Sequence, residues 1–305
     1  MKLFGEAVYE WMVNYKKNSV KPSTYDRLET SYNLMSKFKL SCIPIDQIDT
    51  DYLQEYINEL VGTGYALTTI QKQYHLITAF MDYANTKGVI TRPFHKGVEL
   101  PSRAVIQRPR REVISYTPVE QDKLKAVLYT LERPAYAAAL LMLETGMRIG
   151  EVIALGWSDI DLRRGTVKIH KTFVRLGNHA KSYIQNEAKS YASNRTVPLS
   201  SKALSLLKEM YLRDDFKEFV IHDSHGDPLG YEAVRWQIKM ACRDAGVEYY
   251  GQHVFRHTFA TNCYYKGCDV KLLSKFLGHS DVTITYNIYI HLFGDAVEQM
   301  RLILD

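Results

Sequence analysis

No apolar run of 18 residues or more occurs in this 305-residue chain, so no segment is long enough to cross a bilayer as a helix. The opening MKLFGEAVYEWMVNYKK lacks the apolar stretch and small-residue cleavage site of a secretory leader. Cysteine is scarce. Cys42, Cys242, Cys263 and Cys268 make no disulfide framework in a chain of this length, which points to a reducing, cytoplasmic setting. No GxxxxGK loop ending in Ser or Thr is present, so nucleotide hydrolysis of that kind has no support. Internal repeats and low-complexity tracts are also missing. With 46% hydrophobic residues the chain can bury a sizeable core and is long enough for two domains.

Net charge is only +5, and its placement says more than its size. Residues 1–100 carry 11 Lys and Arg against 11 Asp and Glu, and residues 113–305 carry 24 against 22. The stretch 101–112, PSRAVIQRPRRE, holds Arg103, Arg108, Arg110 and Arg111 against Glu112. It also holds Pro101 and Pro109 and follows neither a helical nor a strand period, so residues 101–114 are expected to be a basic interdomain linker.

Residues 1–100 read as all-helical. Leu3, Ala7, Val8, Trp11 and Tyr15 recur at helical spacing, and Pro22-Ser23-Thr24 opens a second helix running towards Phe38. Asp49 can cap a third, which Gly62 and Gly64 end. Thr68 begins a fourth, with Ile70, Tyr74, Ile77, Phe80, Met81 and Ala84 on one face. Four such helices make a small bundle. Residues 115–305 are mixed. Thr117-Pro118-Val119-Glu120 is a strong helix start, and helices are expected at 134–145 and 148–155. Two β-branched segments, at 165–170 and 195–199, read as strands. Helices return at 201–213, 230–245, 253–265, 270–277 and 282–291, with an amphipathic piece at 296–303. The fold class expected is mainly α with a small β-sheet.

Four segments put cationic or proton-transferring groups together. In TGMRIGEVIAL, Arg148 and Glu151 are three apart and share a helix face. In HVFRHTFAT, His253 and Arg256 are spaced likewise. In LGHSDVTITYNIYIH, His279 sits at a turn before Tyr286 and Tyr289. In AKSYASNRTVPL, Lys189 lies in the polar approach to a strand. Taken singly, each has an ordinary structural explanation as a surface pair, a capping histidine, a packing tyrosine or a solvated lysine. His253 and His257, four apart and followed by Cys263 and Cys268, could face a zinc ion. However, Arg256 would set a fixed cation beside it, and the cysteine spacing matches no common zinc pattern, so no metal site is expected.

Together these segments resemble the tyrosine recombinase (phage-type integrase) family, most closely its conjugative-transposon and temperate-phage integrases. TGMRIGEVIALGWSDID is similar to the segment with the family's first catalytic arginine, KSYASNRTVPL to its β-hairpin lysine segment, HVFRHTFAT to its H-x-x-R box, and LGHSDVTITYNIYIH to its second histidine and nucleophile helix. The match runs over about 115–291, and residues 1–100 resemble the family's helical core-binding domain. The resemblance implies a core-binding bundle at 1–100, a linker at 101–114 and a mixed α/β catalytic domain with a C-terminal tail helix at 115–305.

It further implies an integrase or excisionase of a mobile element that cuts and rejoins double-stranded DNA at attachment or core sites. The work would proceed as a homo-tetramer in the bacterial cytoplasm, through a covalent 3′-phosphotyrosyl intermediate, with no cofactor. Accessory DNA-bending or directionality factors are compatible partners. Arg148 and Arg256 would clamp the scissile phosphate, with Glu151 in support. Lys189 would be the general acid, His253 and His279 would bond the phosphate and assist proton movement, and Tyr289 would be the nucleophile. Arg103, Arg108, Arg110, Arg111 and Arg195 would contact DNA. Many members place the tyrosine nine residues after the second histidine, which here is Ile288; Tyr289 is ten after, a spacing also found in the family, and Tyr286 is the reserve. The small arm-binding domain of several transposon integrases is not expected here, because the core-binding helices begin almost at Met1. The rival readings are a strand-relaxing topoisomerase, a degenerate relative that binds without cutting, and a protein-interaction scaffold.

Overall fold

The computed structural model describes residues 2–106, 114–177, 182–186 and 194–289, the side chains of the last segment as far as Tyr286. Contacts divide the chain into two compact units, one of Met1–Arg111 with Leu176–Lys181, the other of Glu112–Arg175 with Ser182–Asp305. The division at Arg111 falls inside the stretch expected as a linker.

The first unit holds helices α1 (Phe4–Trp11), α2 (Pro22–Met35), α3 (Thr50–Gly62) and α4 (Leu67–Thr86). The expected cap is present: the Asp49 carboxylate accepts from the Tyr52 N–H at 3.0 Å. The α4 face anticipated from periodicity is buried at Ile70, Ile77, Phe80, Met81 and Ala84. Gln73 joins it, because its amide oxygen accepts from the buried Tyr56 hydroxyl at 3.0 Å. Two boundaries differ from expectation. A π-helical turn over Met12–Lys16 extends α1, and α2 stops at Met35 rather than Phe38. Phe38 leaves the helix and meets the Tyr56 ring edge-on at 5.3 Å.

The second unit is organised around α6 (Pro134–Thr145), which is buried on nearly every side from Ala135 to Leu143. A helix that is apolar all round belongs inside a core, and the alanines at 137–139 let neighbours approach closely. Packed against it are α5 (Pro118–Leu128), α7 (Ile149–Ile153), α8 (Ser201–Arg213), α9 (Tyr231–Asp244) and α10 (His253–Tyr265). Helices α11 (Val270–Leu277) and α12 (Val282–Tyr289) follow. Strands β1 (Ile160–Asp161), β2 (Thr166–Ile169) and β5 (Arg195–Pro198) form an antiparallel sheet in the order β1-β2-β5. Val167 faces Val197 across the ladder and Ile169 faces Arg195, so alternation puts Arg195 on the same inward face as Val197.

A second pair, β3 (Thr172–Val174) with β4 (Tyr183–Gln185), was not anticipated. Its position is set by close packing: a Cβ on Gly150 of α7 would lie 2.7 Å from the Thr172 hydroxyl and 2.8 Å from the Phe173 carbonyl oxygen. The described fold is mainly α with small sheets, as the sequence implied. Among the described residues, no helix is long and apolar enough to cross a membrane.

Candidate active site

A helix ends with carbonyl groups that have no intrahelical partner and with a concentration of negative partial charge. At the end of α11 three consecutive carbonyls each meet an arginine. Arg195 Nε donates to Phe276 O at 2.6 Å, Arg256 Nη2 to Leu277 O at 2.7 Å, and Arg148 Nη2 to Gly278 O at 3.0 Å. The three residues come from distant parts of the chain: the start of α7, strand β5 and helix α10.

Two glycines allow this convergence. Gly146 ends α6 in the left-handed region, with φ of 66°, and its carbonyl accepts from Arg256 Nη1 at 2.8 Å. A Cβ there would sit 2.4 Å from a carbon of the Phe259 ring. Gly278 ends α11 in the same region and turns the chain towards His279.

Glu151, buried at 6% exposure, binds two of the arginines to each other. Its oxygens accept from Arg195 Nη1 at 3.0 Å and Nη2 at 2.8 Å, a bidentate pair, and from Arg148 Nη1 at 2.9 Å. Glu151 also reaches back to the Arg148 N–H at 2.9 Å, closing the first turn of α7. Burial alone would raise its pKa, but the hydrogen bonds and charge of Arg195, with Arg148, outweigh that and hold it below the usual carboxylate value.

The histidines register the same cationic field. His279 is pushed down to about 4, by burial first and then by Arg256, Arg148 and Arg195. His257 is also pushed down to about 4, by burial, then His253 and Arg256. His253, exposed at the first turn of α10, is lowered by the crowding of protein around it, then by Arg256 and Arg148. All three are neutral near pH 7. Arg256 Nη2 also lies 2.9 Å from His279 Nε2. Since an arginine can only donate, Nε2 accepts and the ring proton is on Nδ1, which donates to the Thr285 hydroxyl at 2.7 Å. Two neutral imidazoles, His253 and His279, beside the guanidinium groups of Arg148 and Arg256 make a cluster suited to an anion with several oxygen atoms.

Of the residues singled out from sequence, Arg148, Glu151, His253, Arg256 and His279 are brought together here. Tyr289 is the last residue of α12, the helix that follows His279 directly. Tyr286 is exposed on that helix. Lys189, Arg108, Arg110 and Arg111 lie outside the described residues, as does the tail piece at 296–303. Arg103 is exposed. Arg195 is turned inward in this structure: its side chain is 6% exposed and bonded to Glu151 and Phe276, and Arg256 is comparably buried. The sequence reading missed this inward role, the buried Thr285, and the α11 carbonyls. Strand alternation from Val197 carried a signal for the first; hydrophobic pattern carried none for the other two.

Comparison with known proteins gives concordant matches. Residues 118–295 match the phage integrase family, and residues 3–61 match the N-terminal SAM-like domain of phage integrases. The chain is 28% identical to a XerC-like tyrosine recombinase of Caldanaerobacter subterraneus subsp. tengcongensis, over 97% of this chain and 82% of the relative. It is 24% identical to an integrase of a Staphylococcus phage, over 94% and 88%. Among solved structures, the Tn1549 transposon integrase in complex with a circular intermediate DNA has the same fold, with TM-score 0.80 at 18% identity over 99% of this chain and 100% of the other. A lambda integrase tetramer bound to a Holliday junction matches with TM-score 0.65 at 17% identity, over 94% of this chain and 77% of that one.

Proposed function

The chain belongs to the phage integrase family and is a tyrosine-type site-specific DNA recombinase, and from that premise we propose that the arginine and histidine cluster at the end of α11 takes the scissile phosphate and Tyr289 attacks it. The observation that carries this reading is the meeting of Arg148 and Arg256 at adjacent carbonyls of one helix end, with His253 and His279 inside their field.

A phosphodiester carries one negative charge and gains charge on its non-bridging oxygens as a nucleophile arrives in line. Guanidinium groups keep their charge at every physiological pH and match those oxygens with paired donors. Fixed donors of this kind usually supply the largest part of phosphoryl-transfer catalysis, and removing one typically costs about 10²–10³ in rate. Arg148 and Arg256 fill that role, and Glu151 fixes the direction of Arg148. Neutral His253 and His279 donate to the phosphate, and His253 can receive the phenolic proton.

The Tyr289 oxygen forms the new bond to phosphorus. The 5′-oxygen of the cut strand leaves and takes a proton from Lys189. The 3′-phosphotyrosyl bond conserves the energy of the broken linkage, so a second 5′-hydroxyl can displace the tyrosine and join a new strand. Arg103, Arg108, Arg110 and Arg111 contact backbone phosphates of double-stranded DNA, adding affinity without reading sequence. Four copies act on paired core sites, an assembly of the kind the lambda integrase tetramer forms at a Holliday junction. The setting is the bacterial cytoplasm.

The test is adduct formation. Incubation with a nicked attachment-site duplex should give a protein–DNA adduct that survives a denaturing gel. Tyr289→Phe should abolish it and Tyr286→Phe should leave it. Loss with Tyr286→Phe alone would move the nucleophile to Tyr286, and no adduct at all from the native chain would defeat the reading.

A further inference from the structure

The His279 ring is gripped from both sides. Arg256 donates to Nε2, and the Nδ1 proton goes to Thr285, a residue with no exposed surface on α12. Thr285 lies one helical turn before Tyr289 on the same helix. One hydrogen bond therefore joins the helix that ends in Tyr289 to an imidazole at the end of α11.

From this geometry we infer that Thr285 is a positioning residue for strand cleavage: its hydroxyl holds the His279 ring in place and fixes α12 relative to the phosphate pocket. The inference rests on the functional reading given above for His279 and Tyr289.

The chemistry of a hydroxyl is what the position requires. In the structure Arg256 occupies Nε2, so Nδ1 carries the proton and Thr285 accepts it. To hydrogen-bond a phosphate oxygen, His279 must present N–H at Nε2. A neutral ring then bears its lone pair at Nδ1. A hydroxyl can rotate and donate to that lone pair as readily as it accepted the proton. A carbonyl could only accept, and an amide N–H could only donate. Thr285 is therefore a partner that satisfies the ring both before and after the phosphate displaces Arg256 from Nε2. The depressed pKa of His279 agrees with a ring that works in its neutral form in the free protein. Burial of Thr285 matters too, because no solvent reaches the hydroxyl to replace a lost partner.

Three variants of the full chain, Thr285→Val, Thr285→Ser and Tyr289→Phe, should be compared with wild type. The measurement is single-turnover adduct formation on a nicked duplex, with DNA affinity and thermal unfolding measured in parallel. Valine has nearly the shape of threonine without the hydroxyl; serine keeps the hydroxyl and loses the methyl. Thr285→Val should slow adduct formation roughly 10- to 100-fold, the loss typical when the partner orienting a functional imidazole is removed. DNA affinity should stay close to wild type, and Thr285→Ser should recover most of the rate.

A packing role predicts the opposite order, with valine equal to wild type and serine impaired, and that order overturns the inference while leaving the recombinase reading intact. Should Thr285→Val fail to fold, Thr285→Ala against Thr285→Ser makes the same comparison, since both lack the methyl and only serine keeps the hydroxyl. If wild type forms no adduct, or Tyr289→Phe forms one as fast, the functional reading fails and takes this inference with it.

Discussion

Replacing Glu151 by glutamine changes one oxygen to an NH₂ group and leaves the shape alone, so its effect isolates the carboxylate. Each Glu151 oxygen accepts two bonds: Oε1 from Arg148 Nη1 and Arg195 Nη1, Oε2 from the Arg148 N–H and Arg195 Nη2. Whichever way the amide is turned, its NH₂ confronts two donors and two bonds are lost. A buried donor left without an acceptor costs about 1–3 kcal/mol, and breaking a buried ion pair costs about 3–5 kcal/mol. We therefore expect a loss of about 4 kcal/mol, which for a domain of this size lowers Tm by roughly 8–16 °C.

Scanning calorimetry of wild type and Glu151→Gln at several pH values checks this. The sign with pH follows from the lowered Glu151 pKa. A carboxylate whose folded pKa is depressed contributes stability that is fully present above its unfolded value, near 4.3, and is lost as pH falls through the folded value. The gap between the proteins should thus be undiminished at pH 5 and narrow only in stronger acid. A gap that closes between pH 7 and pH 5, or a Tm change of a degree or two, would refute the reasoning.

Three other outcomes follow from the same geometry. Arg195→Lys should lose about 2–3 kcal/mol in urea unfolding, because one ammonium cannot span both Glu151 oxygens and Phe276 O. The salt dependence of its DNA binding should match wild type, whereas Arg103→Gln should lower that slope by about 1. Gly146→Ala should cost about 2–5 kcal/mol, since it strains a backbone at φ 66° and drives a methyl into Phe259, and adduct formation should fall with it because the Gly146 carbonyl holds Arg256. His257 and His279, with folded values of about 4 against about 6.5 unfolded, take up protons only on unfolding within that window. Stability should then fall as pH drops from about 6.5 to 4, and His257→Gln should flatten part of the slope; a flat profile between pH 7 and 5 contradicts the field described here.

Much of the fold was legible because local chemistry and tertiary demand agree. Asp49 and Thr117 are good caps and both cap, the 201–213 and 270–277 helices have the expected bounds, and the all-apolar α6 sits at the centre of its unit. The β3–β4 pair was not legible: Thr172–Val174 is three residues long and is held by packing on Gly150, a partner far away in sequence. At the site, charged residues close in sequence could be seen, so Arg148 with Glu151 and His253 with Arg256 stood out. The sequence showed Arg195 as one more basic residue; only its register opposite Ile169, on the inward face, reveals its partner. Thr285 was invisible because its importance comes from a ring nitrogen six residues back across a turn.

The spacing of the three arginines is not three independent quantities. Phe276, Leu277 and Gly278 offer their oxygens from three successive residues, the last turned out of the helix by its left-handed backbone, so the separations among the guanidinium groups are copied from the geometry of this one helix end. A twist of that helix end would shift all three cations in concert. Substitutions at Arg148, Arg195 and Arg256 should accordingly combine to less than the sum of their separate effects, as parts hung from a single frame do when the frame has already given way.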